Sequence, residues 1–212
     1  MSARADNIVD VRSGQAARRE HILDAAEACF VRNGFHRTTM ADLAREAAMS
    51  QGNFYRYFES KEALVRGLAE REAARGAVLV AEMERAEDRR GALLGILTHY
   101  FASVTREAAV LRVDIWSEAT RNPAIAAMTE RSEADARAWF TETFAALATS
   151  PDCDPEALFD TIAPLLKGVI VTRALLPDHN LSASISQLRA LIDAGLAGRL
   201  PTSFVFERTV ER

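Results

Sequence analysis

Apolar residues recur at three- and four-residue intervals along this chain, the period of an amphipathic helix rather than the alternation of a strand. Over residues 16–33 the series Ile22, Ala25, Ala26, Cys29 and Phe30 predicts a first helix. Asn33-Gly34 ends it, because glycine accepts the left-handed backbone that closes a helix and Phe35 can pack back on the last turn. Three helix-start signals follow in quick succession: Thr39 with Asp42, Ser50 with Asn53, and Ser60 before Lys61-Glu62. They predict helices at 39–47, 50–57 and 60–88, the first two being very short and joined at Ala48-Met49, which is a helix-turn-helix.

Further helices are predicted at 90–108, 110–120, 123–148, 155–176 and 183–198. Asn122-Pro123 and Asp154-Pro155 each set a capping side chain before a proline suited to a first turn, and Pro177 and Pro201 stop the helices before them. Pro164 falls inside a predicted helix and is expected to kink it or loosen its first turns. No proline precedes Pro123, and alanine, leucine, glutamate and arginine dominate, so the fold class is all-α.

Length and composition narrow the class. A chain of 212 residues, 49% hydrophobic and 26% charged, can bury a core without disulfide or metal staples. Asp6 and Asp10 stand where a signal peptide needs an apolar stretch, and Lys167 and Arg173 interrupt the most apolar late run, so a cytoplasmic protein without membrane spans is expected. Cys29 and Cys153 are too few for a disulfide framework and lie in no metal-ligand spacing, so no metal is expected. The net charge is −4, but residues 1–66 hold ten basic groups against nine acidic ones, so the acidic excess belongs to the rest of the chain.

Projecting residues 50–57 at 100° per residue puts Phe54 and Phe58 on the buried side and Gly52 and Arg56 opposite, flanked by Asn53 and Tyr57 and by Gln51 and Tyr55. Such a face suits the major groove: Gln or Asn can pair with adenine, Arg with guanine, and tyrosine hydroxyls reach phosphate oxygens, while the glycine permits close approach. On the preceding helix the projection buries Met40, Leu43, Ala44 and Ala47, turns Arg45 outward and leaves Thr39 at an N-terminus able to hold a phosphate. Periodicity alone equally allows a merely solvated face.

The stretch ILDAAEACFVRNGFHRTTMADLAREAAMSQGNFYRYFESKEALVRGL, from Ile22 to Leu68, resembles the DNA-binding domain of TetR-family regulators. The resemblance rests on the N-G-F turn, the T-T pair, the L-A-R-E-A segment, the S-x-G-x-F-Y-x-Y-F helix and the S-K-E-A-L start. Ala48 departs from the glycine usual in the turn. The resemblance implies DNA contacts at Thr39, Ser50, Gln51, Asn53, Tyr55, Tyr57 and Lys61, with tyrosine and lysine gripping phosphate. Gln51, Asn53 and Arg56 are then the base readers and Arg45 a secondary one.

It further implies a flexible arm at 1–15, a helix-turn-helix domain at 16–66, a helical effector-binding and dimerisation domain at 67–200 and a tail at 201–212. The implied function is a ligand-responsive repressor that binds a palindromic operator as a homodimer and is released by a small-molecule effector. Candidate effector-pocket residues are Leu97, His99, Tyr100, Phe101, Trp116, Met128, Trp139, Phe140 and Phe144, with Asp114 and Thr120 as further polar anchors; the same aromatics would also serve as ordinary core. Candidate interface residues are Leu165, Leu166 and Val169 on one late helix and Leu188, Leu191, Ile192 and Leu196 on the next. A helical enzyme or ligand carrier is the competing class, but no phosphate loop, nucleophile elbow or clustered general base is present, and no cofactor is expected.

Overall fold

The computed structural model describes the backbone of residues 2–200 and the side chains of residues 14–200. Among these residues there are nine helices and no strand: α1 (Ser2–Asn33), α2 (Met40–Glu46), α3 (Gln51–Tyr55), α4 (Lys61–Arg85), α5 (Arg89–Ser103), α6 (Arg106–Ala119), α7 (Pro123–Leu147), α8 (Pro155–Leu175) and α9 (Ser182–Leu196). The tail expected at 201–212 lies outside the described residues.

The starts were written in the capping residues. Thr39 and Asp42 form a reciprocal capping box at α2, and Ser50 accepts from the Asn53 amide at α3. Ser60 accepts from the Ala63 amide at α4, and Asn122 and Asp154 accept from amides of α7 and α8. Two boundaries differ from expectation by five residues or more. Helix α1 begins at Ser2 rather than 16, taking in the arm, because no proline interrupts the segment and Gly14 costs only about 1 kcal/mol. The run expected at 90–108 stops at Ser103, because Val104 is extended and the Thr105 hydroxyl accepts from the Ala108 amide, opening α6 at Arg106. Helix α8 runs through Pro164, which sits on an exposed position, so the proline costs a backbone donor without ending the helix.

The chain forms two compact units, and they are not consecutive in sequence. Among the described residues, the first joins those up to Glu82 with Thr105–Glu130 and the second joins Met83–Val104 with those from Arg131 on. By contacts, α6 and the first turns of α7 group with the helix-turn-helix. Their apolar side explains why. Leu111 and Ile125 are buried in one cluster with Ile22, Phe30, Leu43, Phe54, Phe58 and Leu64, and Ile115, Ala119 and Met128 pack against it. Phe54 and Leu43 are wholly buried there, each worth roughly 2–3 kcal/mol of transfer free energy.

A charged contact secures α4 to α1. The Arg71 guanidinium, 7% exposed, lies 2.7 Å from Asp24, 2.5 Å from Glu27 and 3.6 Å from Glu20, three carboxylates on successive turns of α1. In the second unit α8 and α9 pack against each other, and Leu158, Ile162 and Val169 of α8 and Ile185, Leu188, Ile192 and Leu196 of α9 are buried. Gly195 permits their close approach, since a Cβ there would fall 2.4 Å from Leu158 Cδ1.

Ala48, between α2 and α3, has φ 51, a left-handed conformation that costs an L-residue about 1–2 kcal/mol. Ala48→Gly relieves that strain at some cost in unfolded-chain entropy, so thermal denaturation should show a net stabilisation of roughly 0.5–1 kcal/mol. A lower midpoint in the glycine variant would mean that the Ala48 methyl contributes packing that outweighs the strain.

Candidate nucleic-acid interface

Helix α3 is five residues long and cannot stand alone. Phe54 anchors it from beneath, and the backbone continues through Tyr57 N–H to Phe54 O (3.0 Å) and Phe58 N–H to Phe54 O (3.2 Å), so the chain stays coiled until Phe58 is buried. With Phe54 and Phe58 inside, Ser50, Gln51, Gly52, Asn53, Tyr55 and Arg56 are all exposed. Tyr55 is 49% exposed, unusual for a large aromatic, and nothing lies within 4 Å of a Cβ built on Gly52. A polar, aromatic and basic ridge with a bare centre therefore projects from the fold, as the helical projection required.

The remaining candidates are placed differently. Tyr57 is half-buried and packs against the core cluster, so part of its surface serves the fold rather than solvent. Thr39 is exposed, but its hydroxyl donates to Asp42 Oδ2 (2.6 Å) and accepts from the Asp42 amide (3.2 Å). The bond donated by the Thr39 hydroxyl holds the Asp42 carboxyl below the usual aspartate range, with the Thr39 backbone amide and nearby Arg45 adding to the effect. Arg45 donates to the other Asp42 oxygen at 2.9 Å while remaining largely exposed. The negative charge that would repel a phosphate at the start of α2 is thus already engaged by Thr39 and Arg45.

Lys61 departs most from expectation. Its ammonium donates to Phe35 O (2.7 Å) and His36 O (3.2 Å) and lies 4.5 Å from the Phe35 ring centroid. Carbonyls left open after α1 recruit the cation inward. The turn it holds is further closed by Gly34, at φ 80, and by buried Thr38, whose hydroxyl donates to Gly34 O at 2.7 Å. The T-T pair marked Thr38 in the sequence, but its turn-closing role needed the fold.

The effector candidates separate. Trp116 and Met128 belong to the first unit, and Met128 packs against the helix-turn-helix core. Asp114, expected as a pocket anchor, instead accepts the Phe35 amide, because α6 lies on α1. Thr120 caps α6 and bonds Ser117 O. In the second unit Leu97, Phe101 and Phe144 are buried core, Tyr100 is half-buried and His99 is exposed. Trp139, Phe140 and Phe144 form an aromatic chain in which Phe140 lies 5.5 Å from Phe144 and 5.8 Å from Phe159. Burial pushes the Cys153 thiol up, with the Asp154 charge adding to it, which disfavours the reactive thiolate.

The interface candidates also divide. Val169, Leu188, Ile192 and Leu196 are buried inside the unit, Leu166 and Leu191 are half-buried, and Leu165 alone is exposed. The four buried residues are corrected to intramolecular core: α8 and α9 each carry more than one apolar face, and helical spacing cannot say which one the chain itself covers.

Residues 22–68 match the family described as bacterial regulatory proteins, tetR family, and residues 89–201 match the C-terminal domain of BetI-type transcriptional repressors. The chain belongs to the TetR family. It is 36% identical over 119 residues to the regulator UidR of Escherichia coli, an alignment covering 52% of this chain and 56% of UidR, so the match spans about half the length of that curated relative. The fold is shared with Salmonella enterica GusR, at TM-score 0.63 and 24% identity over 85% of this chain and 95% of that one. It is shared too with a transcriptional regulator from Saccharomonospora viridis solved in complex with choline, at TM-score 0.66 and 20% identity over 84% of this chain and 94% of that one. Within this TetR-family chain, the ridge on α3 corresponds to the family's matched segment and the aromatic chain of α7 to the C-terminal one.

Replacing Lys61 with methionine keeps the stem and removes the donors to the α1–α2 turn. Urea denaturation should show a loss of roughly 1.5–3 kcal/mol, the range for hydrogen bonds made by a charged group. Unchanged stability with lost DNA affinity would instead identify Lys61 as a phosphate contact. The low-lying Asp42 carboxyl stabilises α2 above the ordinary aspartate range and loses that effect on acidification through its depressed value. Helicity followed at neutral pH should accordingly be insensitive to this group.

Proposed function

We propose that this protein is a DNA-binding transcriptional repressor that reads a palindromic operator as a homodimer and is released by a small-molecule effector. The observation that carries the reading is the exposed ridge of α3, where Ser50, Gln51, Gly52, Asn53, Tyr55 and Arg56 project together over a buried Phe54. Gln51, Asn53 and Arg56 have the donors and acceptors to read base edges, and the Tyr55 hydroxyl and the Ser50 side chain suit phosphate oxygens. Arg45 is a further reader once its Asp42 pairing opens. The family descriptions support repression.

Two copies make the reading workable. One ridge carries few cations, so a single reader neutralises few phosphates, whereas two readers about 34–36 Å apart meet successive major grooves on one side of a duplex. The faces left uncovered on α8 and α9 support the pairing. Thr161, Leu165, Gly168 and Leu175 are exposed along α8, and Ala183, Gln187 and Ala190 along α9, at helical spacing and with few charges. Leu165 remains from the expected set, with Leu166 and Leu191 at its edges; Leu175 joins it. For the effector, half-buried Trp139, Phe140 and Tyr100 offer apolar and aromatic contact. Choline in the Saccharomonospora viridis regulator is that protein's ligand. A ligand favouring a form in which the two readers are mis-spaced would lower operator affinity by population shift.

Selection of source-genome fragments on purified protein should enrich one inverted repeat, and binding to it should weaken steeply with salt as counterions are released. Gln51→Ala should alter the preferred bases at a cost of about 1–3 kcal/mol, while Tyr55→Phe should weaken binding uniformly across sequences. No enrichment above background removes the DNA-binding reading. Leu165→Glu should convert a species of twice the chain mass into a monomer in sedimentation, with folding intact and affinity for the full repeat reduced; an unaltered sedimentation profile removes this face as the interface.

A further inference from the structure

The turn between α1 and α2 is held by two helices at once. The amide of Phe35 donates to the Asp114 carboxylate on α6, while the carbonyls of Phe35 and His36 accept from Lys61 on α4. The Phe35 ring is buried, 5.2 Å from the Phe30 ring, so this residue is fixed by its side chain, its amide and its carbonyl. A second polar tie from the same region lies beyond the reader. Asn122, just past α6, donates to Glu62 Oε1 at 3.0 Å, in the first turn of α4. Partial burial pushes the Glu62 carboxyl up, but its own backbone amide, Asn122 and Ser60 outweigh that and hold it ionised below the ordinary range. Helices α2 and α3 thus hang between two attachments, one immediately before them and one immediately after, and both reach the segment that contains α6.

We infer that Asp114 is a positioning residue for operator binding, fixing the direction in which α2 and α3 leave α1. A carboxylate is suited to this because it makes a charge-assisted bond to an amide that the turn leaves without an intrahelical partner. The apolar contacts of Leu111, Ile115 and Ala119 hold α6 on the core but do not select a turn geometry; the Asp114 bond has a direction and does. Helix α6 is also flanked on both sides by chain that enters the second unit, at Val104 and at Arg131.

This inference rests on the DNA-binding reading, and its test keeps the two separable. Hydrogen exchange of DNA-free protein is compared for wild type, Asp114→Ala, Asp114→Asn and, as a second tie, Asn122→Ala; operator affinity is then measured on the selected inverted repeat. Expected in Asp114→Ala are faster exchange across residues 35–55 with little change in α8 and α9, and an affinity loss of about tenfold or more. Asp114→Asn, which keeps an acceptor oxygen, should recover part of both. In a Trp139→Phe background, the emission of Trp116, on the same helix as Asp114, should respond to operator in the parent and much less in Asp114→Ala. Affinity within twofold of wild type, or exchange that rises equally throughout the chain, overturns the positioning role. A wild type that binds no operator while Asp114→Ala still loosens residues 35–55 would remove the DNA-binding reading and leave the Asp114 latch only as a fold contact, overturning its role in operator binding.

Discussion

A five-residue helix has no stability of its own, and a seven-residue one scarcely more, because nucleation consumes the backbone entropy that so few hydrogen bonds cannot repay. Everything about the reader follows from that constraint. The ridge on α3 exists only while Phe54 and Phe58 are buried below it, and α2 only while Leu43, Ala44 and Ala47 are. The cover for those side chains comes from α1, α4, α6 and the start of α7, so the smallest unit that can present the ridge includes residues more than fifty positions downstream of it.

Polar groups near the ridge sort by what the backbone claims first. Open carbonyls after α1 take Lys61, and the orphan amide of Phe35 takes Asp114. The start of α2 takes Asp42, which in turn engages Thr39 and Arg45. Among the described residues, the exposed side chains of Gln51, Asn53, Tyr55 and Arg56 are the ones near the ridge that no backbone group engages. A protein of net charge −4 can still meet DNA under these conditions, because local geometry rather than total charge determines which groups a phosphate encounters.

Local signals were legible wherever a residue acts on its own neighbourhood. Thr39, Ser50, Ser60, Asn122 and Asp154 cap helices because each hydroxyl, amide or carboxylate reaches amides two or three residues on, a relation spacing alone states. The left-handed backbone at Ala48 was signalled only by the family resemblance, which has glycine in that turn. Less legible were side chains whose partner is remote. Lys61 was a phosphate grip only through the family resemblance, and its true partners, the Phe35 and His36 carbonyls, lie 26 and 25 residues away; Asp114 stood as a polar pocket anchor, and its partner lies 79 residues away.

The all-α class, the helix-turn-helix, the burial of Phe54 and the exposure of its neighbours were determined by sequence alone, because a 3.6-residue period and a cap are properties of contiguous residues. Which apolar face of α8 and α9 is core, which unit α6 joins, and which cations and carboxylates are already engaged were decided only in three dimensions. Those are questions of which surfaces meet: the hydrophobic effect rewards burial without naming a partner, and only the assembled chain supplies one.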